Sequence, residues 1–118
     1  MLKVEDIAAK LGLDVNVKGD LSLEVSGCYI SDLLSDVMAH SSDGQLWVTL
    51  QTHPNIVAVA AIKGLSAIIM TNGRRPEPDT AKKAADQNVT LLTSAASTFE
   101  AAGRIYNILR GDGTGDKP

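Results

Sequence analysis

The sequence predicts an α/β domain, a small layered fold with a mostly parallel sheet flanked by helices. Two observations carry that prediction. From Gln45 onward the order reads strand, helix, strand, helix, strand, helix, the pattern of βαβ crossovers. The composition is 44% hydrophobic but only 3% aromatic, so the core is built from Val, Ile, Leu and Ala. At 118 residues the chain makes one domain. A domain of that size buries about two-thirds of the surface its unfolded chain exposes, without metal or disulfide staples.

The elements follow in order. Val4, Ile7, Ala8 and Leu11 form one apolar stripe, with Glu5 and Asp6 in the first turn and Gly12 as a stop. This predicts a short helix. Leu13–Gly19 alternates as a half-exposed strand, and Gly19-Asp20 is a turn. Leu21, Leu23 and Val25 alternate with polar residues and predict a second strand. Cys28, Tyr29 and Ile30 extend that run into a buried layer. Ser31 or Asp32 then caps a helix over Leu33–His40. Gln45–Leu50 is a strand rich in Trp, Val and Thr.

Pro54 suits the first position of a helix over Asn55–Lys63, which Gly64 closes. That helix is apolar almost all round, so it is expected to be covered on both sides, the second cover being another subunit. Ala67–Met70 is a buried strand, and Thr71–Pro78 is loop. Asp79 or Thr80 caps a helix to about Gln87, with Ala81, Ala84 and Ala85 facing inward. Val89–Leu92 is the next strand. Ser94–Leu109 is the last helix, with Phe99, Ala102, Ile105, Tyr106 and Leu109 as its apolar stripe. Residues 1–110 therefore form the domain, and the Gly-rich 111–118 reads as a disordered tail.

Charge and composition exclude several functions. Net charge is −3, so the basic footprint of nucleic-acid binding is missing. The longest apolar run, Ile56–Ile62, is too short to span a bilayer. The first residues carry Glu5 and Asp6 and do not read as a signal peptide. One cysteine, Cys28, precludes an internal disulfide and fits a reducing cytoplasm. No Lys, Arg or His adjoins it, so it reads as an inert thiol.

Catalytic devices are absent from the sequence. There is no phosphate-binding GxxxxGK[ST] or GxGxxG, and no GxSxG elbow. Ser31, Asp36 and His40 have the residue types of a triad but crowd one short helix. His40, His53, Asp36 and Cys28 show no metal-ligand spacing, so no metal or cofactor is implied. The remaining candidates are polar strand ends, where open α/β sheets collect ligands. They are Ser31, Asp32 and Ser35 after one strand, and Thr71, Asn72, Gly73 and Arg74 after another. Arg74 and Arg75 suit a phosphate or carboxylate. Caps and turns explain the same residue types without a ligand.

Over Lys3–Leu109, GCYISDLLSDVMAH followed by GQLWVTLQTHPNIVAVAAIKGLSAIIMTNGRRPE resembles the DRTGG domain. The pentapeptide itself is not present. Gln51–Asn55 departs from the family's Gly-Asp-Arg-type turn, and Thr71-Asn72-Gly73 stands where Thr-Gly-Gly is common. The resemblance implies a small α/β fold like the N-terminal domain of HPr kinase/phosphorylase, frequent homodimers and a regulatory role. Such domains occur alone or beside phosphotransacetylase or CBS-containing enzymes. The kinase phosphate loop is missing, so catalysis is not expected. The expected function is a cytoplasmic, homodimeric regulatory or ligand-sensing module, pairing through Asn55–Lys63 or an adjacent surface and binding a nucleotide or phosphorylated ligand. Two alternatives remain: a scaffold pairing with an enzyme encoded nearby, and a small enzyme using Asp36 and His40.

Overall fold

The computed structural model describes residues 1–112. Its sheet has five strands: β1 (Asp14–Val17), β2 (Gly27–Ile30), β3 (Gln45–Thr49), β4 (Ala67–Met70) and β5 (Leu91–Thr93). The order is β1-β5-β4-β3-β2. β2 through β5 run parallel, and β1 pairs antiparallel with β5. The α/β class with a mostly parallel sheet is as the sequence predicts.

Side-chain alternation along β3 and β4 divides the core into two layers. Trp47, Ile68 and Met70 point to helices α2 (Leu34–His40), α3 (Asn55–Lys63) and α4 (Pro78–Gln87). Leu46, Val48, Ala67 and Ile69 point the other way, to α1 (Val4–Leu11) and α5 (Thr98–Asn107). Each fully buried Ile or Leu contributes about 1.5–3 kcal/mol of transfer free energy.

Several expectations need correction. Leu21–Ser26 is not a strand; it crosses from one sheet edge to the other and forms only an isolated Lys3–Glu24 bridge. Its carbonyls are used differently. Leu23 O and Leu21 O accept from the Val4 and Glu5 amides at 3.0 Å, satisfying donors at the start of α1. Asp6 completes that cap by accepting from the Lys3 amide at 2.8 Å. Strand β2 is an edge, not a buried layer, and Ile30 is exposed. Neither Ser31 nor Asp32 caps α2; the cap position is Leu33, without a side-chain bond.

Pro54 holds the cap position of α3, one residue before the helix proper, with helical φ and ψ. Ile56, Val57, Val59 and Ala60 are buried against the sheet, α2 and α4. The cover of α3 thus comes from within the chain, which leaves Asn55 at its start and Ala61 and Ile62 in its last turn exposed. Helix α4 starts at Pro78 after Glu77, so Asp79 and Thr80 are not caps. Thr80 and Ala84 face inward, and Ala85 is exposed. The strand expected at Val89–Leu92 lies at Leu91–Thr93.

Helix α5 starts later than expected, at Thr98, because Ser97 caps it through the Glu100 amide. Its buried residues are Ala101 and Ile105; Phe99 and Tyr106 lie on the outside. It passes into a π turn, Ile108–Asp112, and kinks at Gly111, the first residue of the expected tail, whose φ of 96° and ψ of 6° are not helical. The rest of that tail, 113–118, lies outside the described residues.

Candidate functional site

The carboxyl ends of β2 to β5 carry a row of hydroxyl side chains in loops. At the β2 end, Ser31 Oγ accepts from the Leu33 amide at 3.1 Å. The Asp32 carboxylate accepts from Thr49 Oγ1 at 2.8 Å and from the Leu50 amide at 2.7 Å. Its backbone carbonyl accepts from the Gln51 side chain at 2.9 Å. Asp32 therefore latches the β2 end to the β3 end. Ser35 lies exposed on the first turn of α2.

At the β4 end, Asn72 and Gly73 both take positive φ, 58° and 68°, and Arg74 N closes on Thr71 O at 3.1 Å. Asn and Gly tolerate this left-handed pair better than other residues. The loop is pinned to the start of α5. Asn72 N donates to Ala96 O and Gly73 N to Ser94 O, both at 2.9 Å. Thr71, fully buried, shares a hydrogen bond with Thr98 at 2.6 Å between the two hydroxyls. Arg74 holds Thr93 Oγ1 through its carbonyl and presents an exposed guanidinium. Arg75 is engaged elsewhere, on Asp14 at 2.7 Å and Asn16 at 2.9 Å.

The sequence candidates thus fall into two groups, Ser31, Asp32 and Ser35 at β2, and Thr71 to Arg74 at β4. They are joined through Thr49 of β3, whose hydroxyl reaches Asp32 and whose carbonyl accepts from the Thr71 amide at 3.3 Å. Thr49 and Thr98 are missed by sequence reasoning. Their only signal is a hydroxyl residue at the end of an apolar run and another at a helix start.

The triad residue types do assemble, but in an order unsuited to nucleophilic catalysis. Asp36 sits in the centre, accepting from Tyr29 Oη at 2.8 Å and contacting His40 Nδ1 at 3.0 Å. The Tyr29 hydroxyl, then the Ser31 hydroxyl and His40, hold its carboxyl below its ordinary pKa. A relay needs the imidazole between hydroxyl and carboxylate. Here the carboxylate lies between hydroxyl and imidazole. Among the described residues no group of three or more His, Cys, Asp or Glu is placed to hold a metal ion. No helix there is long and apolar enough to cross a membrane.

A surface depression lies elsewhere, between α5 and the β2 edge. It is an open groove of about 760 Å³ lined by Cys28, Ile30, Phe99, Ala102 and Tyr106, among others. None of the sequence candidates lines it.

Fold and site together define a three-layer α/β domain with polar loops at its strand ends. The family model described as the DRTGG domain matches residues 6–108, and the chain belongs to that family. The chain is also similar in fold to the crystal structure of the CBS and DRTGG domains of the regulatory region of Clostridium perfringens pyrophosphatase, complexed with the activator diadenosine tetraphosphate. Sequence identity is 17%, the TM-score is 0.69, and the match covers 87% of this chain and 45% of that one. No curated protein matches the chain.

Proposed function

We propose that this chain is a non-catalytic regulatory module that binds a small nucleotide or phosphorylated ligand at its strand ends and works as a homodimer. The observation that carries this reading is the Thr71–Thr98 hydroxyl contact, because it joins the candidate ligand loop to α5. A ligand that rearranges Thr71–Arg74 then shifts a helix whose far side is surface. Arg74 offers charge-assisted contacts to a phosphate, with Thr71, Asn72 and Gly73 beneath it and Ser31, Asp32 and Ser35 across Thr49. Membership of a domain family found in the regulatory region of a pyrophosphatase supports the same reading. The central position of Asp36 argues against a catalytic role for Ser31 and His40.

A thermal-shift screen over nucleotides and phosphorylated metabolites, with diadenosine tetraphosphate among the first compounds, tests it. A binder is expected to raise the melting temperature and move the Thr71 and Arg74 amide resonances. Arg74→Ala should weaken that binder severalfold. No shift from any compound, with those resonances unmoved, counts against ligand sensing. The exposed apolar side chains Ile30, Leu33 and Phe99 favour a second reading, a scaffold that pairs with an enzyme encoded nearby. Co-purification of a stable enzyme partner from the native host distinguishes it.

A further inference from the structure

The loop after β4 has spent its backbone donors. The amides of Thr71, Asn72, Gly73 and Arg74 donate to the carbonyls of Thr49, Ala96, Ser94 and Thr71. None of the four is left for a ligand, so an anion at this loop is met by side chains. Arg75 is already held on Asp14 and Asn16. The Arg74 guanidinium is exposed and, among the described residues, makes no ion pair. Recognition of a phosphate here falls on Arg74, and a long side chain makes a defined contact only when its own root is held.

Both backbone polar groups of Arg74 are bonded. Its amide closes on Thr71, and its carbonyl accepts from Thr93 Oγ1 at 2.7 Å. Thr93 is buried, and its single hydroxyl hydrogen goes to that carbonyl. The hydroxyl oxygen takes its own donor from Asn16 Nδ2 at 2.6 Å. Asn16 Oδ1 accepts from Arg75 at 2.9 Å, and Arg75 also reaches Asp14 at 2.7 Å. The series returns to the residue next to Arg74, so it is a closed ring. Its direction is forced at both ends, because a carbonyl only accepts and a guanidinium only donates. Asn16 has to do both, and its amide does so with two separate atoms. The strand supplies Asn16 by a bulge. Val15 pairs with Leu92 and Val17 with Leu91, which leaves Asn16 as the extra residue. Bulges of this kind re-aim a side chain beside functional sites.

We propose that Asn16 and Thr93 are positioning residues of the strand-end site, which fix, through the Arg74 carbonyl, the guanidinium that the loop presents to a phosphate. The Arg75–Asp14 ion pair is exposed on both sides and contributes little by itself. Its part in the ring is to orient the Asn16 amide, so that Nδ2 and not Oδ1 faces Thr93. The β1 edge thereby belongs to the site although Asn16 and Thr93 reach it only through the Arg74 backbone. Satisfying the buried Thr93 hydroxyl would need the same bonds, but it would not couple Asn16 to the binding of an anion at Arg74.

This role rests on the strand-end reading above, and one experiment separates the two. The full chain is titrated calorimetrically with diadenosine tetraphosphate and with inorganic pyrophosphate. Thr93→Val removes the hydroxyl at nearly constant shape. Asn16→Asp keeps an acceptor for Arg75 but has no hydrogen for Thr93. Each should weaken binding severalfold, no further than Arg74→Ala does, and Thr93→Ser should bind as the wild type does. Added to Arg74→Ala, neither should cause a further loss, because both act through Arg74. Thr93→Val changes no charge, so its result separates positioning from a simple electrostatic effect of Asn16→Asp. Full binding by Thr93→Val, or a loss that adds to that of Arg74→Ala, overturns the positioning role and leaves the strand-end reading standing. A Thr93→Ser chain that binds no better than Thr93→Val overturns it as well. A wild type that binds neither probe overturns the strand-end reading and this role together.

Discussion

Asp32 does more for the fold than its exposed position suggests. Its carboxylate takes both the Thr49 hydroxyl and the Leu50 amide, so Asp32→Ala leaves two donors of the β3 end without partners. A loss of about 1 kcal/mol is expected in urea denaturation. Asp32→Asn keeps an acceptor oxygen and should lose less. Tyr29 and Asp36 make a pH-dependent pair. The Tyr29 hydroxyl lowers the Asp36 pKa, and Asp36 in turn raises that of Tyr29. A lowered carboxyl contributes stability that is complete above its ordinary value of about 4 and is lost as pH falls through the lower folded value. Tyr29→Phe should therefore be less stable than the wild type at neutral pH. The two should converge in acid denaturation once Asp36 is protonated. Cys28 is half-buried on the edge strand, at the wall of the groove, rather than fully buried. Burial pushes its thiol up to about 12, so its thiolate is scarce at neutral pH. Labelling by a thiol-exchange reagent is expected to run about a thousandfold slower in the native chain than in the unfolded one.

At the scale of elements, the glycine stops of α1 and α3 were legible in the sequence, whereas the helix starts were mostly misplaced. Gly64 shows why. It takes φ of 65° to end α3, and a Cβ there would strike the Asp43 carboxylate. Gly64→Ala should destabilise the fold by about 1–2 kcal/mol, from the left-handed backbone alone, as read by chemical denaturation. Local chemistry specifies such a stop, so the sequence displays it. Leu21–Ser26 is the opposite case. Its alternation is that of a strand, but a strand also needs a neighbour with free hydrogen-bonding groups, which is a long-range fact. This segment found the start of α1 instead. Phe99 and Tyr106 misled for a related reason. Apolar spacing on α5 permits two stripes, and the sheet selected the one holding Ala101 and Ile105.

At the scale of the molecule, three helices against two make the domain lopsided, and the sheet ends in an edge strand beside the thin side. The α/β class was legible because every βαβ unit is a local pattern repeated in order. The need for cover was legible too, but it was assigned to α3, which its own neighbours α2 and α4 already satisfy. Hydrophobicity along a sequence says how much surface must be hidden, not which elements hide it. The placement of the candidate residues after the ends of β2 and β4 was legible. Their division into two groups bridged by Thr49 was not, because it depends on β3 lying between β2 and β4.

Trp47 is the chain's single tryptophan, buried completely, and its indole N–H donates to the Ser31 carbonyl at 2.9 Å. The molecule thus carries its own optical gauge, wired to one end of the candidate site. Native emission should be blue-shifted, as an indole in an aliphatic interior gives, and should move to the red on unfolding. A ligand that shifts the β2 end alters the acceptor on the indole, and the emission of the unlabelled protein follows it. Engagement at the β4 loop alone should leave the indole unchanged, so one titration distinguishes binding that spans both groups from binding confined to Thr71–Arg74.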